Sequence, residues 1–314
     1  MGETMVALRG SGPLRLGGTM QVSIAGAESN VAIGLARLGH DVHWAGTVGD
    51  DEAGALVLRT LRAEGVEVSG AATDPGAPTG LLLFEPRLPE VTRVHYYRAG
   101  SAGSRPAADA VDRAFRAAPP RVLHLTGITP ALSPTARSAA HQALHLARRH
   151  RSTVCLDVNF RARLWTAEEA AAVLREWIPF VDVLIASDDE LPLCLPGGAG
   201  AAAPDHADQA RLLLERGVGE VVVTLGAAGA TVFTPDGRVH RPARAVRAVD
   251  AVGAGDAFVA GYLSALLDDE GPAGRLERGV TTGAFAVASH GDWEGAPTRA
   301  ELGMLGAPPG TVVR

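Results

Sequence analysis

The chain has 314 residues, a formal net charge of -6 and 46% hydrophobic residues, which is enough for one large α/β domain with a sizeable core. No apolar stretch of about 18 residues lacks a charge or a turn former, and no long basic block occurs, so neither a membrane span nor a nucleic-acid partner is expected. All 29 residues counted as lysine or arginine are arginine. The absence of lysine excludes a Walker A loop, a Schiff-base enzyme and a protein kinase in their usual forms.

The N-terminus and the cysteines both favour a cytoplasmic location. Residues 1–9 lack a basic region followed by an apolar core, so no secretory signal is predicted. Cys155 and Cys194 each lie in an apolar run, which is typical of buried thiols in a reducing compartment rather than of a disulfide. We therefore expect a cytoplasmic protein with a small-molecule partner.

The first hundred residues predict a small sheet that stands away from the main core. Segments 14–25, 79–86 and 91–98 are rich in alternation and turn residues, and residues 88–90 are typical of a hairpin turn. We expect antiparallel strands from about 14–25 and 79–98. Between them the pattern predicts helices at 29–38 and 52–64 and a strand at 43–48.

From residue 121 onward, short apolar runs alternate with stretches of helical period. The predicted strands are 121–125, 153–157, 181–185 and 220–225, and the predicted helices include 134–149, 166–176 and 205–216. Apolar runs of this length between helices are typical of a parallel sheet covered on both faces. The pattern therefore predicts a doubly wound α/β fold, whose ligand lies off the carboxyl ends of the strands.

The strongest local signal is the segment 249–258, Val-Asp-Ala-Val-Gly-Ala-Gly-Asp-Ala-Phe, which precedes an apolar helical run. Glycines at a helix start leave N–H groups open to an anion, and the helix dipole adds positive potential. Asp256 in the first turn would repel a bound phosphate unless it has a role, and a general base for an attacking hydroxyl is such a role. Dipole compensation by Asp256, a plain turn and a truncated dinucleotide fingerprint are the alternatives at this point.

Residues 250–258 resemble the signature of the ribokinase-like (PfkB) carbohydrate kinases, with the order Asp-x-x-Gly-Ala-Gly-Asp-Ala-Phe. A companion signature at 26–39 and 48–54 is similar too. The resemblance implies a ribokinase-like three-layer α/β sandwich with a mostly parallel central sheet and a small β-sheet lid, in a single domain over 1–314. It also implies that Asp256 is the catalytic base and that Gly253, Ala254 and Gly255 form an anion hole.

Further segments resemble the 2-keto-3-deoxygluconate kinases of that family, at 95–104, 125–133, 156–165 and 291–297. Tyr96 and Arg98 are two residues apart on a predicted strand, so both face one side, and Asp157, Asn159 and Arg161 do likewise. Two arginines in a sugar pocket favour a substrate with a carboxylate, because guanidinium binds carboxylate by paired hydrogen bonds. Surface positions for both arginines are the alternative. The resemblance implies that the sugar acid touches Asp256 together with Gly26, Asn30, Tyr96, Arg98, Arg161 and Asp292.

The nucleotide side is expected around a strand end at 223–229, where glycines let a backbone approach a ribose or phosphate, although a plain strand turn is the alternative. The family's Asn-x-x-Glu element reads Ser-Asp-Asp-Glu at 187–190, so its first position departs from the family. The resemblance implies Mg²⁺ held through water near Glu190, and it allows a monovalent cation near Asp250. The residues it places against ATP are Ser187, Thr224, Gly226 and Gly229.

Together these features predict an enzyme that transfers the γ-phosphoryl group of ATP to the primary (C6) hydroxyl of 2-keto-3-deoxy-D-gluconate. A kinase of the same fold for a neutral sugar or a nucleoside is one alternative, and a non-catalytic sugar-acid sensor is another. Exposed strands of the lid also predict a homo-oligomer formed through the lids.

Overall fold

In this computed structural model the described residues are 1–88, 91–106, 108–117, 119–197 and 205–306. The strands are β1 Met5–Gly10, β2 Met20–Ala25, β3 Val42–His43, β4 Thr47–Gly49, β5 Val66–Glu67, β6 Ala72–Asp74, β7 Leu81–Leu88, β8 Val91–Tyr97, β9 Val122–Thr126, β10 Thr153–Asp157, β11 Val183–Ser187, β12 Glu220–Thr224, β13 Ala230–Thr234 and β14 Gly237–Arg241. The helices are α1 Ala27–Arg37, α2 Glu52–Ala63, α3 Ala108–Ala117, α4 Ile128–Leu132, α5 Pro134–His150, α6 Ala167–Trp177, α7 His206–Leu214, α8 Ala254–Leu267 and α9 Pro272–Val287.

The central sheet has six strands in the order β14-β13-β12-β11-β10-β9. Strands β9 to β12 are parallel, and β13 and β14 join antiparallel at one edge. Alternate residues of β11 face opposite layers: Leu184 packs in the cluster that contains Leu144 and Leu174, whereas Val183 packs in the cluster that contains Val259. The sheet is therefore buried on both faces, and the predicted three-layer, mostly parallel α/β sandwich is confirmed.

The smaller sheet, here called the lid, contains four strands in the order β2-β1-β7-β8. The predicted segment 14–25 divides into a 3₁₀ turn at Leu14–Leu16 and strand β2. Sequence analysis did not predict β1, which pairs parallel with β7, so the expectation of an all-antiparallel sheet was wrong. The reason is that β1 buries side chains on both faces, Met5 toward the lid and Val6 toward α1 and α2, and so lacks the polar alternation of a half-buried strand.

One other local prediction is corrected, and the rest agree with the structure. The strand predicted at 43–48 is two short strands, β3 and β4, because the chain changes partner from β5 to β6 within that stretch. The hairpin predicted around 88–90 joins β7 and β8, which pair antiparallel, while Pro89 and Glu90 lie outside the described residues. The predicted helices match α1, α2, α5, α6 and α7 to within about two residues.

Helix ends show why the sequence folds this way. Thr166 and Glu169 form a capping box at the start of α6, and Ser133 caps α5 just before Pro134. Helix α8 begins after Gly253, whose φ of 75° places it in the left-handed region that favours glycine. None of the helices in the described part of the chain is long and apolar enough to cross a membrane.

Candidate active site

A cavity of about 490 Å³ lies between the lid and the carboxyl ends of the parallel strands. The last residues of β10, β11 and β12, Asp157, Ser187 and Thr224, all line it, as expected for a doubly wound sheet. The cavity is also lined by most of the residues that sequence analysis selected. These are Gly26, Asn30, Tyr96, Arg98, Arg161, Ser187, Glu190, Thr224, Gly253, Gly255, Asp256 and Asp292.

Asp256 is held in the first turn of α8 by a neutral partner. The Asn30 Nδ2 group donates a 2.7 Å hydrogen bond to its Oδ2 atom, and the Asp256 residue is only 9% exposed. Burial raises the pKa of Asp256 to about 8, although the hydrogen bond from Asn30 opposes that rise. A carboxyl group with this pKa can accept a proton near neutral pH, as a general base requires.

The turn before α8 has the geometry of an anion site. A Cβ atom on Gly253 would lie 1.9 Å from the Asp292 carbonyl oxygen, so only glycine fits there, whereas a Cβ atom on Gly255 would meet open space. The Ala254 N–H group donates to the Ala251 carbonyl at 3.3 Å. The N–H groups of Gly255 and Asp256 lack an intrahelical partner by helix geometry, so they are available to a phosphate oxygen.

Oxygen atoms gather at the ends of β10 and β11. Burial, with the Glu190 carboxylate nearby, raises the pKa of Asp157 to about 7. The Asn159 side chain donates to Asp157 at 2.8 Å, and its own Oδ1 atom is buried without a hydrogen-bond partner among the described residues. Both Glu190 oxygens accept backbone hydrogen bonds, from Phe160 at 2.7 Å and from Ser187 at 3.1 Å.

These groups fit a magnesium ion. Mg²⁺ prefers oxygen ligands and keeps several of its waters, so one carboxylate and one amide oxygen near a nucleotide phosphate are enough. The unpaired Asn159 Oδ1 atom is an acceptor of the right kind. Glu190 accepts hydrogen bonds from the backbone after β10 and at the end of β11, so it tethers the ends of the two strands; its contact with an ion through water stays a prediction.

Arg98 is not a free guanidinium, because Glu3 pairs with it. The Arg98 Nε group donates to the Glu3 Oε2 atom at 2.8 Å, the same oxygen is ion-paired with Nη2, and Ser101 donates to Oε1 at 2.7 Å. Glu3 is only 2% exposed, and the Arg98 guanidinium carbon lies 5.7 Å from the centre of the Tyr96 ring. The sequence did not single out Glu3, which neutralises and orients the predicted substrate arginine.

Arg161 and Tyr96 line the same cavity as Arg98 and are more exposed to solvent. The Arg161 Nη1 group donates to the carbonyl of Phe160 at 3.2 Å, and the residue is exposed. Tyr96 is 42% exposed. The Arg161 guanidinium therefore remains accessible to an anionic substrate, in contrast to that of Arg98.

The predicted nucleotide residues are only partly brought together. Ser187 and Thr224 line the cavity, and the Thr224 hydroxyl donates to the Ala186 carbonyl at 3.4 Å. Gly226 and Gly229 are not among the cavity-lining residues. Gly226 has a φ of 54° and open space around it, whereas a Cβ atom on Gly229 would lie 2.0 Å from the Arg241 carbonyl oxygen. Gly229 is thus explained by backbone packing, whereas Gly226 leaves room for a ligand.

Asp292 and Asp250 share an unpredicted partner, Arg9 of β1. Its Nη2 group donates to Asp292 Oδ2 at 2.5 Å, and its Nη1 group lies 3.7 Å from Asp250 Oδ2. Burial raises the pKa of Asp292 to about 6, while the pairing with Arg9 opposes that rise. Neither Arg9 nor Glu3 lies in a motif, and only the tertiary structure reveals their partners.

Comparison with known proteins agrees with this geometry. Residues 2–299 match the model of the pfkB family carbohydrate kinases. The 2-dehydro-3-deoxygluconokinase of Thermoproteus tenax is 38% identical over 312 residues, which cover 97% of this chain and 92% of that protein.

Solved structures show the same fold. The PfkB protein from Polaromonas sp. JS666 is 35% identical with a TM-score of 0.84, over 96% of this chain and 97% of its own. The 2-dehydro-3-deoxygluconokinase of Thermotoga maritima is 26% identical, also with a TM-score of 0.84, over 97% and 96%. The family predicted from the two sequence signatures is confirmed: this chain belongs to the pfkB family of carbohydrate kinases.

Proposed function

We propose that this carbohydrate kinase phosphorylates 2-keto-3-deoxy-D-gluconate at its C6 hydroxyl, using ATP and Mg²⁺, to give the 6-phosphate. The observation that carries the proposal is the presence of Arg98, Arg161 and Asp256 on one cavity. A sugar acid that extends from the arginines to the start of α8 would present its carboxylate to guanidinium groups and its primary hydroxyl to the base. The names of the relatives from Thermoproteus and Thermotoga support the same substrate.

Residues of the body, meaning the chain outside the lid sheet, carry the transfer step. Asp256 accepts the proton of the C6 hydroxyl while that oxygen forms a bond to the γ-phosphorus, and the bond from phosphorus to the β,γ-bridging oxygen breaks. The N–H groups of Gly255 and Asp256 donate to the charge that develops on the transferring group. Mg²⁺, when bound beside Asp157, Asn159 and Glu190, supplies further positive charge to the phosphates.

The absence of lysine restricts where the rest of that charge comes from. Backbone N–H groups, Mg²⁺ and arginine have to supply it, since the chain has no ammonium side chain. We place ATP against Ser187, Thr224 and the open turn at Gly226, with Gly229 shaping the turn. The lid closes the sugar side with Leu82, Phe84 and Val94 and so limits access of water to the phosphoryl group.

A substrate panel tests the proposal. A coupled assay of ADP formation compares the keto-deoxy acid, its epimer, fructose, ribose and a nucleoside, with a reaction without sugar as the control. We expect a kcat/KM for the acid at least about a hundredfold above that for any neutral sugar, because unpaired polar groups in the site disfavour substrates that lack the carboxylate. A neutral sugar that is the better substrate would contradict the proposal, and binding of the acid without turnover would favour the sensor.

We also propose that two copies associate through their lids. Both edge strands of the lid carry exposed apolar side chains, among them Val22 on β2 and Tyr97 on β8, which are 60% and 62% exposed. Exposed edges of this kind are commonly covered by another chain. Light scattering of the wild type and of Val22→Asp tests this: we expect a dimer for the first and a monomer for the second.

A further inference from the structure

Arg9 contacts both acidic residues near the start of α8. As described above, its guanidinium lies 2.5 Å from Asp292 and 3.7 Å from Asp250, and the three side chains are 19%, 10% and 22% exposed. The Arg9 Nε atom is buried without a hydrogen-bond partner among the described residues. One positive group therefore lies between two carboxylates, at a place that water reaches only in part.

The lid fixes the orientation of this guanidinium. Arg9 and Phe84 are register partners on β1 and β7, and the Arg9 guanidinium carbon lies 3.9 Å from the centre of the Phe84 ring. Phe84 is 4% exposed and lines the cavity. Stacking on an aromatic face stabilises a cation and limits its orientation, so the lid carries Arg9 and holds its guanidinium in the orientation that meets the two carboxylates of the body.

On the body side, both carboxylates belong to segments that shape the anion site. The Asp250 Oδ1 atom accepts a 3.1 Å hydrogen bond from the Val252 N–H group. The Asp292 carbonyl lies directly against Gly253, and the side chain of Val252 packs on the apolar cluster of the lid. A substitution at Arg9 would therefore change the position of the turn before α8, where the phosphate is expected to bind.

A monovalent cation near Asp250, which the family resemblance allows, does not fit this arrangement. Such an ion would have to share the Asp250 Oδ2 atom with the Arg9 guanidinium, which lies 3.7 Å from that atom. Two positive charges on one carboxylate oxygen would repel each other.

We propose that Arg9 is a positioning residue that supplies the positive charge at Asp250 and Asp292 from the lid, so that phosphoryl transfer here needs no monovalent cation. Because the charge is attached to the lid, the turn before α8 takes its working shape only when the lid is closed. This inference rests on phosphoryl transfer at the site proposed above, but not on the identity of the sugar.

The test measures kcat and KM with and without potassium chloride, in a buffer whose other cation is tetramethylammonium. It compares the wild type with Arg9→Ala, Arg9→Lys and the control Arg15→Ala, which changes an exposed arginine in the 3₁₀ turn between β1 and β2. The sugar used is the one that the wild type phosphorylates fastest. A wild type that prefers a neutral sugar thus contradicts the proposed substrate while the Arg9 comparison stays readable.

We expect potassium to change the kcat of the wild type and of Arg15→Ala by less than about twofold. Arg9→Ala should lose about ten- to a hundredfold in kcat, mainly without a rise in KM for the sugar, because the phosphate turn is misplaced. Millimolar guanidinium or potassium should raise the kcat of Arg9→Ala several-fold. Without either ion, Arg9→Lys should have a higher kcat than Arg9→Ala.

Three results would overturn the inference: a wild type that potassium activates by more than about twofold, an Arg9→Ala variant with normal kcat, or a loss that neither ion restores. If Arg9→Ala does not fold, as judged by its thermal melt, the potassium response of the wild type and of Arg9→Lys decides the matter.

Discussion

Asp256 at the start of α8 and Glu3 at the edge of the lid, two residues before β1, are both buried acidic residues on the same cavity, 9% and 2% exposed, but they have different partners. Asp256 receives its side-chain hydrogen bond from the neutral amide of Asn30. Glu3 is ion-paired with Arg98 and also accepts a hydrogen bond from Ser101. Among the described residues, Asp256 in the body thus has no ion-paired counter-ion, whereas Glu3 at the edge of the lid belongs to a neutralised pair.

This difference separates two tasks. A buried carboxylate that lacks a counter-ion has a raised pKa and can take a proton near neutral pH. A buried carboxylate that is paired with arginine holds that arginine in one orientation and cancels its charge in part, which suits recognition rather than proton transfer. We therefore expect substitutions at Asp256 to act on kcat and substitutions at the Glu3–Arg98 pair to act on KM.

The largest expected effect is that of Asp256→Asn on turnover. The amide keeps the size and the hydrogen bond of the carboxyl group but cannot accept the hydroxyl proton, so kcat should fall by about a hundred- to ten-thousandfold. The KM for the sugar should change little, and a coupled kinase assay under saturating ATP measures both. If kcat is retained and KM rises instead, the body does not provide the base.

The pH dependence of the wild type should reflect the same carboxyl group. With a pKa raised to about 8 by burial, Asp256 is protonated at lower pH and cannot act as a base. We expect kcat/KM to reach a plateau above about pH 8 and to fall about tenfold per pH unit below it, that is, about a hundredfold by pH 6. A profile that is flat between pH 6 and 8 would show that burial does not raise this pKa in solution.

The two carboxylates should also affect stability with opposite signs. The folded protein binds the Asp256 proton more tightly than the unfolded chain, whose pKa is 3.8, so stability is lost as the pH rises from about 4 through 8. At pH 8, Asp256→Asn should therefore stabilise the fold by about 2 kcal/mol. Glu3→Gln should destabilise it by about 2 to 4 kcal/mol, because it leaves the half-buried Arg98 guanidinium without its counter-ion. Urea unfolding of both variants measures these changes. Changes of the same sign in the free energy of unfolding would contradict the proposed difference between Asp256 and Glu3.

Local sequence patterns were enough to predict the four parallel strands of the body and the start of α8, but not β13, β14 and α9 or the division of 43–48 into two strands. The parallel strands are continuous apolar runs, and the anion turn with Asp256 lies within one ten-residue segment, so both leave a signal in neighbouring residues. Strand β1 was missed because it is buried on both faces. Glu3 and Arg9 were missed because their partners lie 95 and 283 residues away, and no local pattern encodes such pairs.

The smallest expected effect concerns substrate affinity at the lid. Arg98→Ala removes one of two guanidinium groups on the cavity, while the exposed Arg161 remains to bind the carboxylate. We expect the KM for the sugar acid to rise about tenfold, the size of one charge-assisted hydrogen bond, with kcat unchanged within about threefold. Steady-state kinetics with the acid and with a neutral sugar measure the change, and only the acid should be affected.

A matched control separates recognition from stability at this position. Arg93→Ala changes an exposed arginine on β8, the strand that ends one residue before Arg98, and should leave KM unaltered. Because Arg98→Ala also leaves Glu3 buried without its partner, the double variant with Glu3→Gln should recover folding stability but not affinity for the acid. If the double variant regains a normal KM, then Arg98 acts only by compensating Glu3, and the carboxylate of the substrate is bound elsewhere.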